Sequence, residues 1–154
     1  MLIRNKTTHD HSGILDVARQ LPHWFTKDGL LQLEKDLNLQ YGLITTESDR
    51  IVGFITYFSN QGEATIGWMG VLPECRRHGI GKTLIFQLKR ELLNLNISTL
   101  YVSTLGDSVD YEPYAQTRAF YRKNGFTNFK SISHADNPAY EEELVLKCNI
   151  GLSQ

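Results

Sequence analysis

Apolar residues recur along this chain in two rhythms, and each change of rhythm marks an element. Leu2-Ile3-Arg4-Asn5-Lys6 has the make-up of a short first strand. Ile14, Leu15, Ala18 and Leu21 then fall at helical spacing, with Thr8 or Asp10 placed to cap the helix and Pro22 to stop it. Leu30, Leu31, Leu33 and Leu37 predict a second helix, capped by Thr26. Residues 41–47 and 51–59 read as two strands joined by the turn Ser48-Asp49, and Asn60-Gln61-Gly62 turns the chain into a third, ending at Val71. A helix is expected over 81–95, a strand at 100–103 and a helix over 114–124 closed by Gly125. A last antiparallel pair spans 126–133 and 143–147. The order β-α-α-β-β-β-α-β-α-β-β predicts a mixed α/β sheet.

A length of 154 residues suits one domain, spanning 1–154, with a real core. No repeat, low-complexity tract or linker composition divides it. A formal net charge of -1 exerts no overall pull on nucleic acid or an anionic membrane. No apolar run approaches the roughly 18 residues of a membrane span, and the N-terminus lacks the apolar stretch of a signal peptide. Cys75 and Cys148 are far apart and unpatterned, which indicates neither a disulfide framework nor a zinc site. A cytoplasmic location with reduced thiols is the expectation, with no metal.

Chemistry concentrates in Val71-Leu72-Pro73-Glu74-Cys75-Arg76-Arg77-His78-Gly79-Ile80-Gly81-Lys82, which joins a strand to a helix. Glycines at such a turn let backbone approach a ligand, and the first amides of the helix point at an anion. Arg76, Arg77, His78 and Lys82 surround that point with basic side chains. A phosphate-binding turn is the expectation. It is not a Walker loop, whose first glycine would fall on Arg76, nor a dinucleotide fingerprint, whose third glycine would fall on Leu84.

What fits is [RQ]-x-x-G-x-[GA], carried by Arg76, Gly79 and Gly81. Here the chain resembles the GNAT family of N-acetyltransferases, whose loop of this form holds the pyrophosphate of acetyl-coenzyme A (acetyl-CoA). A second resemblance lies downstream. Ala119-Phe120-Tyr121-Arg122-Lys123-Asn124-Gly125-Phe126 is similar to that family's A-x-x-F-Y-x-K-x-G-F helix ending. Tyr114-Ala115-Gln116-Thr117-Arg118-Ala119-Phe120-Tyr121 resembles a bacterial subgroup reading Y-x-x-T-R-x-F-Y, which also carries W-F-T and D-N-P; this chain has Trp24-Phe25-Thr26 and Asp136-Asn137-Pro138. The resemblance implies a mostly antiparallel, twisted sheet flanked by about four helices.

It also implies roles. Amides from Arg77 through His78, Gly79, Ile80 and Gly81 to Lys82 would hold the pyrophosphate. A backbone N–H near Met69, exposed by a bulge in the preceding strand, would polarise the acetyl carbonyl, while Val71 would pair with the pantetheine arm. Gly67 and Gly70 interrupt that strand, as bulges or close backbone approaches require. Tyr121 would protonate the leaving thiolate; a phenol with pKa about 10 keeps its proton at neutral pH. The alternative is a core tyrosine whose hydroxyl is satisfied elsewhere. Tyr114 stands where the family often has asparagine.

The general base is left open. Thr65 occupies the position of the family's glutamate, and Glu63, two residues earlier on the same strand face, is one candidate. His134 and the run Glu141-Glu142-Glu143 are others, and a readily deprotonated amine needs none. Trp24 and Phe25 either line an acceptor pocket or plug the space between helices and sheet. His9 and His11 lack a partner at metal-ligand spacing. Cys75, between Glu74 and Arg76, has arginines near enough to lower its pKa but no base beside it, and reads as structural. The implied activity is acetyl transfer from acetyl-CoA to a primary amine of a small molecule. A protein or peptide acetyltransferase and a non-catalytic coenzyme A-binding module are the alternatives, and a homodimer is implied by the family alone.

Overall fold

The computed structural model describes residues 1–133 and 142–151. His134, Glu141 and Asp136-Asn137-Pro138 lie outside the described residues. Seven strands form one sheet: β1 (Leu2–Asn5), β2 (Tyr41–Glu47), β3 (Arg50–Asn60), β4 (Glu63–Val71), β5 (Thr99–Leu105), β6 (Thr127–Ile132) and β7 (Glu143–Asn149). Their order is β1-β2-β3-β4-β5-β7-β6, antiparallel throughout except for the parallel pair β4–β5. The hairpins β2–β3 and β3–β4 turn on two residues each, Ser48-Asp49 and Gln61-Gly62, all with positive φ. Such turns match the right-handed twist of the strands they join.

Among the described residues four α-helices cover the sheet: α1 (His11–Arg19), α2 (Lys27–Asp36), α3 (Ile80–Asn94) and α4 (Glu112–Lys123). A Cβ on Gly70 would meet Phe54 and Leu21 just past α1, whereas one on Gly53 would meet Ile80 and Leu84 of α3. Phe54 and Gly53 are consecutive on β3, so α1 and α3 lie on opposite faces. Along α3, Ile80, Leu84, Ile85, Leu88 and Leu92 are buried at helical spacing. Each such side chain stabilises the fold by about 1.5–3 kcal/mol relative to exposure.

Helix ends follow local chemistry. Thr26 caps α2, its Oγ1 accepting from the Gly29 N–H at 3.1 Å. Asp10 does not cap α1; its carboxylate turns back to the Thr7 N–H at 2.7 Å and takes both Arg4 guanidinium nitrogens at 2.9 Å. At the end of α4, Gly125 has φ 96 and the Phe126 N–H returns to the Tyr121 carbonyl at 3.1 Å.

One irregularity shapes the molecule. β4 and β5 pair only at Ala64↔Leu100, Thr65↔Tyr101 and Ile66↔Val102, and then part. At that point β4 holds an extra residue: Tyr57 faces Ile66 but Ile55 faces Met69, so Gly67 and Trp68 stand opposite Thr56. This is a β-bulge, held by the Trp68 N–H donating to Thr56 Oγ1 at 2.9 Å while that hydroxyl donates to Gln40 Oε1 at 2.7 Å. A Cβ on Gly67 would displace the Gln40 side chain that braces Thr56. No helix among the described residues is long and apolar enough to cross a membrane.

Candidate active site

The gap between the parted strands opens into a cavity of about 530 Å³, walled by β4, the 72–79 loop, the start of α3 and one side of α4. On the β4 side, amide direction follows from one bond. The Leu72 N–H donates to the Val52 carbonyl on β3 at 2.8 Å. Amides alternate along a strand, so Gly70 also faces β3 while Met69 and Val71 direct their N–H groups the other way. There β5 has departed, leaving both donors to the cavity.

At the loop, Arg77 and Gly79 take positive φ values of 66 and 77. The first intrahelical bond of α3 runs from the Thr83 N–H to the Gly79 carbonyl at 2.9 Å, and no side chain caps the helix. The amides of Ile80, Gly81 and Lys82 therefore precede the ladder as open donors. Arg77, His78 and Lys82 are exposed around them. A Cβ on Gly81 would press on Phe120 at 3.1 Å, so this glycine lets α3 lie close to α4. Open amides, glycines and basic side chains together match the chemistry of a pyrophosphate.

From α4, four residues of one motif reach four different elements. Thr117 Oγ1 accepts the Trp24 indole N–H at 3.0 Å. Arg118, 5% exposed, donates to the carbonyls of Leu105 and Gly106 at 2.8 and 2.9 Å and pairs with Asp107, holding the end of β5 away from β4. Phe120 packs over Gly81. Tyr121 directs its hydroxyl to Met69 Sδ on β4 at 3.8 Å. The tyrosine is 6% exposed with Phe120 and Phe126 edge-on to its ring, and burial raises its pKa well above the ordinary phenol value. Its hydroxyl keeps its proton.

The structure thus brings Met69, Val71, Arg76, Arg77, Gly79, Ile80, Gly81, Lys82 and Tyr121 to one cavity. His78 sits on the loop outside its lining. Glu63 is elsewhere: it opens β4 beside the paired part of β5, exposed, accepting from Tyr101 Oη at 2.8 Å. Face parity with Thr65 does not bring it to the cavity, because the strands part only beyond Ile66. Cys75 is buried, and burial pushes its thiol pKa up rather than its arginine neighbours pulling it down.

Phe25 is buried, stacked on Trp68 at 5.7 Å and tilted against Phe54, and forms a plug as well as cavity wall. Trp24 lines the cavity. Its indole N–H is shared between Thr117 and the Pro113 carbonyl, and the Arg76 guanidinium lies over its face at 4.4 Å. His23 beside it offers its carbonyl to Tyr111 Oη at 3.2 Å. The part of Arg118 is invisible in spacing, although its motif position marks it.

Several solved structures share this fold. A GNAT-family protein from Desulfovibrio desulfuricans superposes with a TM-score of 0.85 at 19% identity, over 97% of this chain and 99% of its own. The ribosomal-protein alanine N-acetyltransferase of Escherichia coli gives 0.76 at 19%, over 99% and 96%. An aminoglycoside 6'-N-acetyltransferase complexed with coenzyme A gives 0.75 at 16%, over 97% of both chains. At such identities these likenesses speak for the fold. No curated protein sequence matches significantly. The family model of the acetyltransferase (GNAT) domain matches residues 39–128, from before β2 into β6. That stretch covers more than half of the chain and includes the loop, the parted strands and α4, and the chain belongs to the GNAT acetyltransferases.

Proposed function

We propose that this protein transfers an acetyl group from acetyl-CoA to the primary amine of a small molecule. The observation that carries this is convergence: two strand amides, three uncapped helix amides and a buried phenol meet in one cavity. The amides of Ile80, Gly81 and Lys82, with Arg77 and Lys82 side chains, would hold the pyrophosphate. The Val71 amide would pair with the pantetheine arm as a neighbouring strand would. The bound thioester supplies an activated acetyl group for direct attack by the amine.

The remaining work falls to this chain. The Met69 N–H, aimed across the gap, stabilises negative charge developing on the acetyl oxygen. Tyr121 Oη, in contact with Met69, donates its proton toward the departing sulfur. Its raised pKa keeps the hydroxyl protonated at neutral pH, so it enters the step as a donor and not as a base. Among the described residues no carboxylate or imidazole lines the cavity, and Glu63 is held at the closed end of the sheet. A readily deprotonated amine would need no base from these residues.

A small acceptor is favoured over a peptide by the crossing of His23 and Trp24. Bonded to Tyr111, Pro113 and Thr117, they tie the α1–α2 connection to the start of α4, which favours a compact acceptor. Calorimetric titration of acetyl-CoA and desulfo-coenzyme A, with ATP and NAD as comparison ligands, tests the binding half. Micromolar affinity for the coenzymes alone is expected; ATP or NAD binding without coenzyme binding overturns the proposal. A panel of small amines and N-terminal peptides, followed by thiol release, then separates the two acceptor classes.

A further inference from the structure

The contact between Arg76 and Trp24 joins two things that the proposed function keeps separate. Arg76 belongs to the loop that receives phosphate, and Trp24 to the connection between α1 and α2. The guanidinium nonetheless lies 4.4 Å from the indole centroid. The ring cannot follow if the guanidinium leaves, because its N–H is tied to the Pro113 carbonyl at 3.1 Å and Thr117 Oγ1 at 3.0 Å. Arg76 has no carboxylate partner among the described residues, unlike Arg4, Arg19, Arg50, Arg118 and Arg122. An exposed cation held only by a π face gives up that contact for a charge-assisted hydrogen bond to phosphate oxygen, the stronger of the two.

We propose that the indole face of Trp24 is a cation site used in turn, first by Arg76 and then by the ammonium of the acceptor. This deepens the proposed function and rests on it. Coenzyme binding draws Arg76 to the pyrophosphate and leaves a fixed indole face within the cavity that also holds Met69 and Tyr121. Indole is the best of the aromatic faces for an ammonium ion. The acceptor class is then an alkylammonium compound, admitted only after the coenzyme. Trp24 is the specificity residue, and Thr117 positions it.

The chain has two tryptophans, so Trp68→Phe leaves Trp24 as the sole indole fluorophore. Coenzyme A, then n-butylammonium chloride, is titrated into this variant, with potassium chloride and n-butanol as controls. Emission is expected to change with coenzyme A at the calorimetric midpoint. Butylammonium should change it further with coenzyme A bound, and at least tenfold less without it. Equal response to butylammonium in both states, or none in either, overturns the inference. A second arm uses otherwise wild-type protein and does not depend on Trp68. Trp24→Leu removes the competitor for Arg76 and should tighten coenzyme A binding two- to fivefold by calorimetry, whereas a wall residue of merely structural importance would weaken it. Weakened or unchanged binding sinks the inference and leaves the acetyltransferase proposal standing; absence of coenzyme binding in the wild type sinks that proposal itself.

Discussion

Replacing Tyr121 by phenylalanine removes one oxygen from the centre of the cavity, and its effects on stability and rate should separate. Among the described residues the hydroxyl's one hydrogen-bond partner is the Met69 thioether, at 3.8 Å. Sulfur is a weak acceptor and that distance is long, so the bond contributes at most about 0.5 kcal/mol. Keeping a hydroxyl desolvated costs about 1 kcal/mol or more. The ring contacts with Phe120 and Phe126 survive the substitution. Folding stability should therefore change by less than about 1 kcal/mol, and Tm by less than about 4 °C. Coenzyme affinity should hold, because the amides that bind it are untouched. Turnover loses its proton donor, and kcat should fall by about 10²–10⁴-fold, some 3–5 kcal/mol in the barrier. Release of free thiol, followed with the amine selected by the panel, gives kcat, and a thermal melt on the same sample gives Tm. If kcat stays within about threefold of wild type while coenzyme affinity is unchanged, Tyr121 is a core residue and the acid is elsewhere.

The pH profile carries a linked prediction. Burial raises the Tyr121 pKa, so the proton is retained to higher pH than in a free phenol and no alkaline loss of activity should begin below about pH 10. The rate should climb with the deprotonated fraction of the amine and level off; a descending limb near pH 9 in the thiol-release assay would contradict the assignment. Arg118→Met strips the Leu105 and Gly106 carbonyls of a buried donor and should cost about 3 kcal/mol, lowering Tm by roughly 6–12 °C in a calorimetric scan. Hydrogen bonds from Arg4 hold the Asp10 carboxyl down at about 2, below its value in the unfolded chain. The stability this lends is present above about pH 4 and is lost as pH falls through about 2. Wild type should accordingly out-melt Asp10→Asn at pH 6 and lose that margin in strong acid, as parallel melts across pH will show.

The geometry of the 76–82 turn is readable from sequence because its demands are local: glycine for a positive φ and for close approach, basic residues near uncapped amides, all within one short run. The hairpins are readable for the same reason. Glu63 shows where local reading stops. Alternation correctly puts Glu63 and Thr65 on one face, but cavity membership depends on where β4 and β5 cease to pair, and no residue of β4 alone records that. Asp10 misleads in a similar way, since Arg4 on β1 competes successfully for its carboxylate. Trp24 lines the cavity and is braced against α4, because its ring and its N–H meet different elements brought together only by the fold.

The three-residue pairing of β4 with β5 leaves the sheet as two panels, β1 to β4 and β5-β7-β6, sharing a short seam. Beyond the seam their union rests on the shared core and on side chains of α3 and α4 rather than on a ladder. A pantetheine arm bonded to Val71 would serve as a missing rung, so cargo and structural part become the same object. On the proposed function, each cycle would stitch and unstitch the panels. At a coenzyme concentration a hundred times its dissociation constant the stitched form gains about 2.7 kcal/mol, a sizeable share of what holds a domain of this size together.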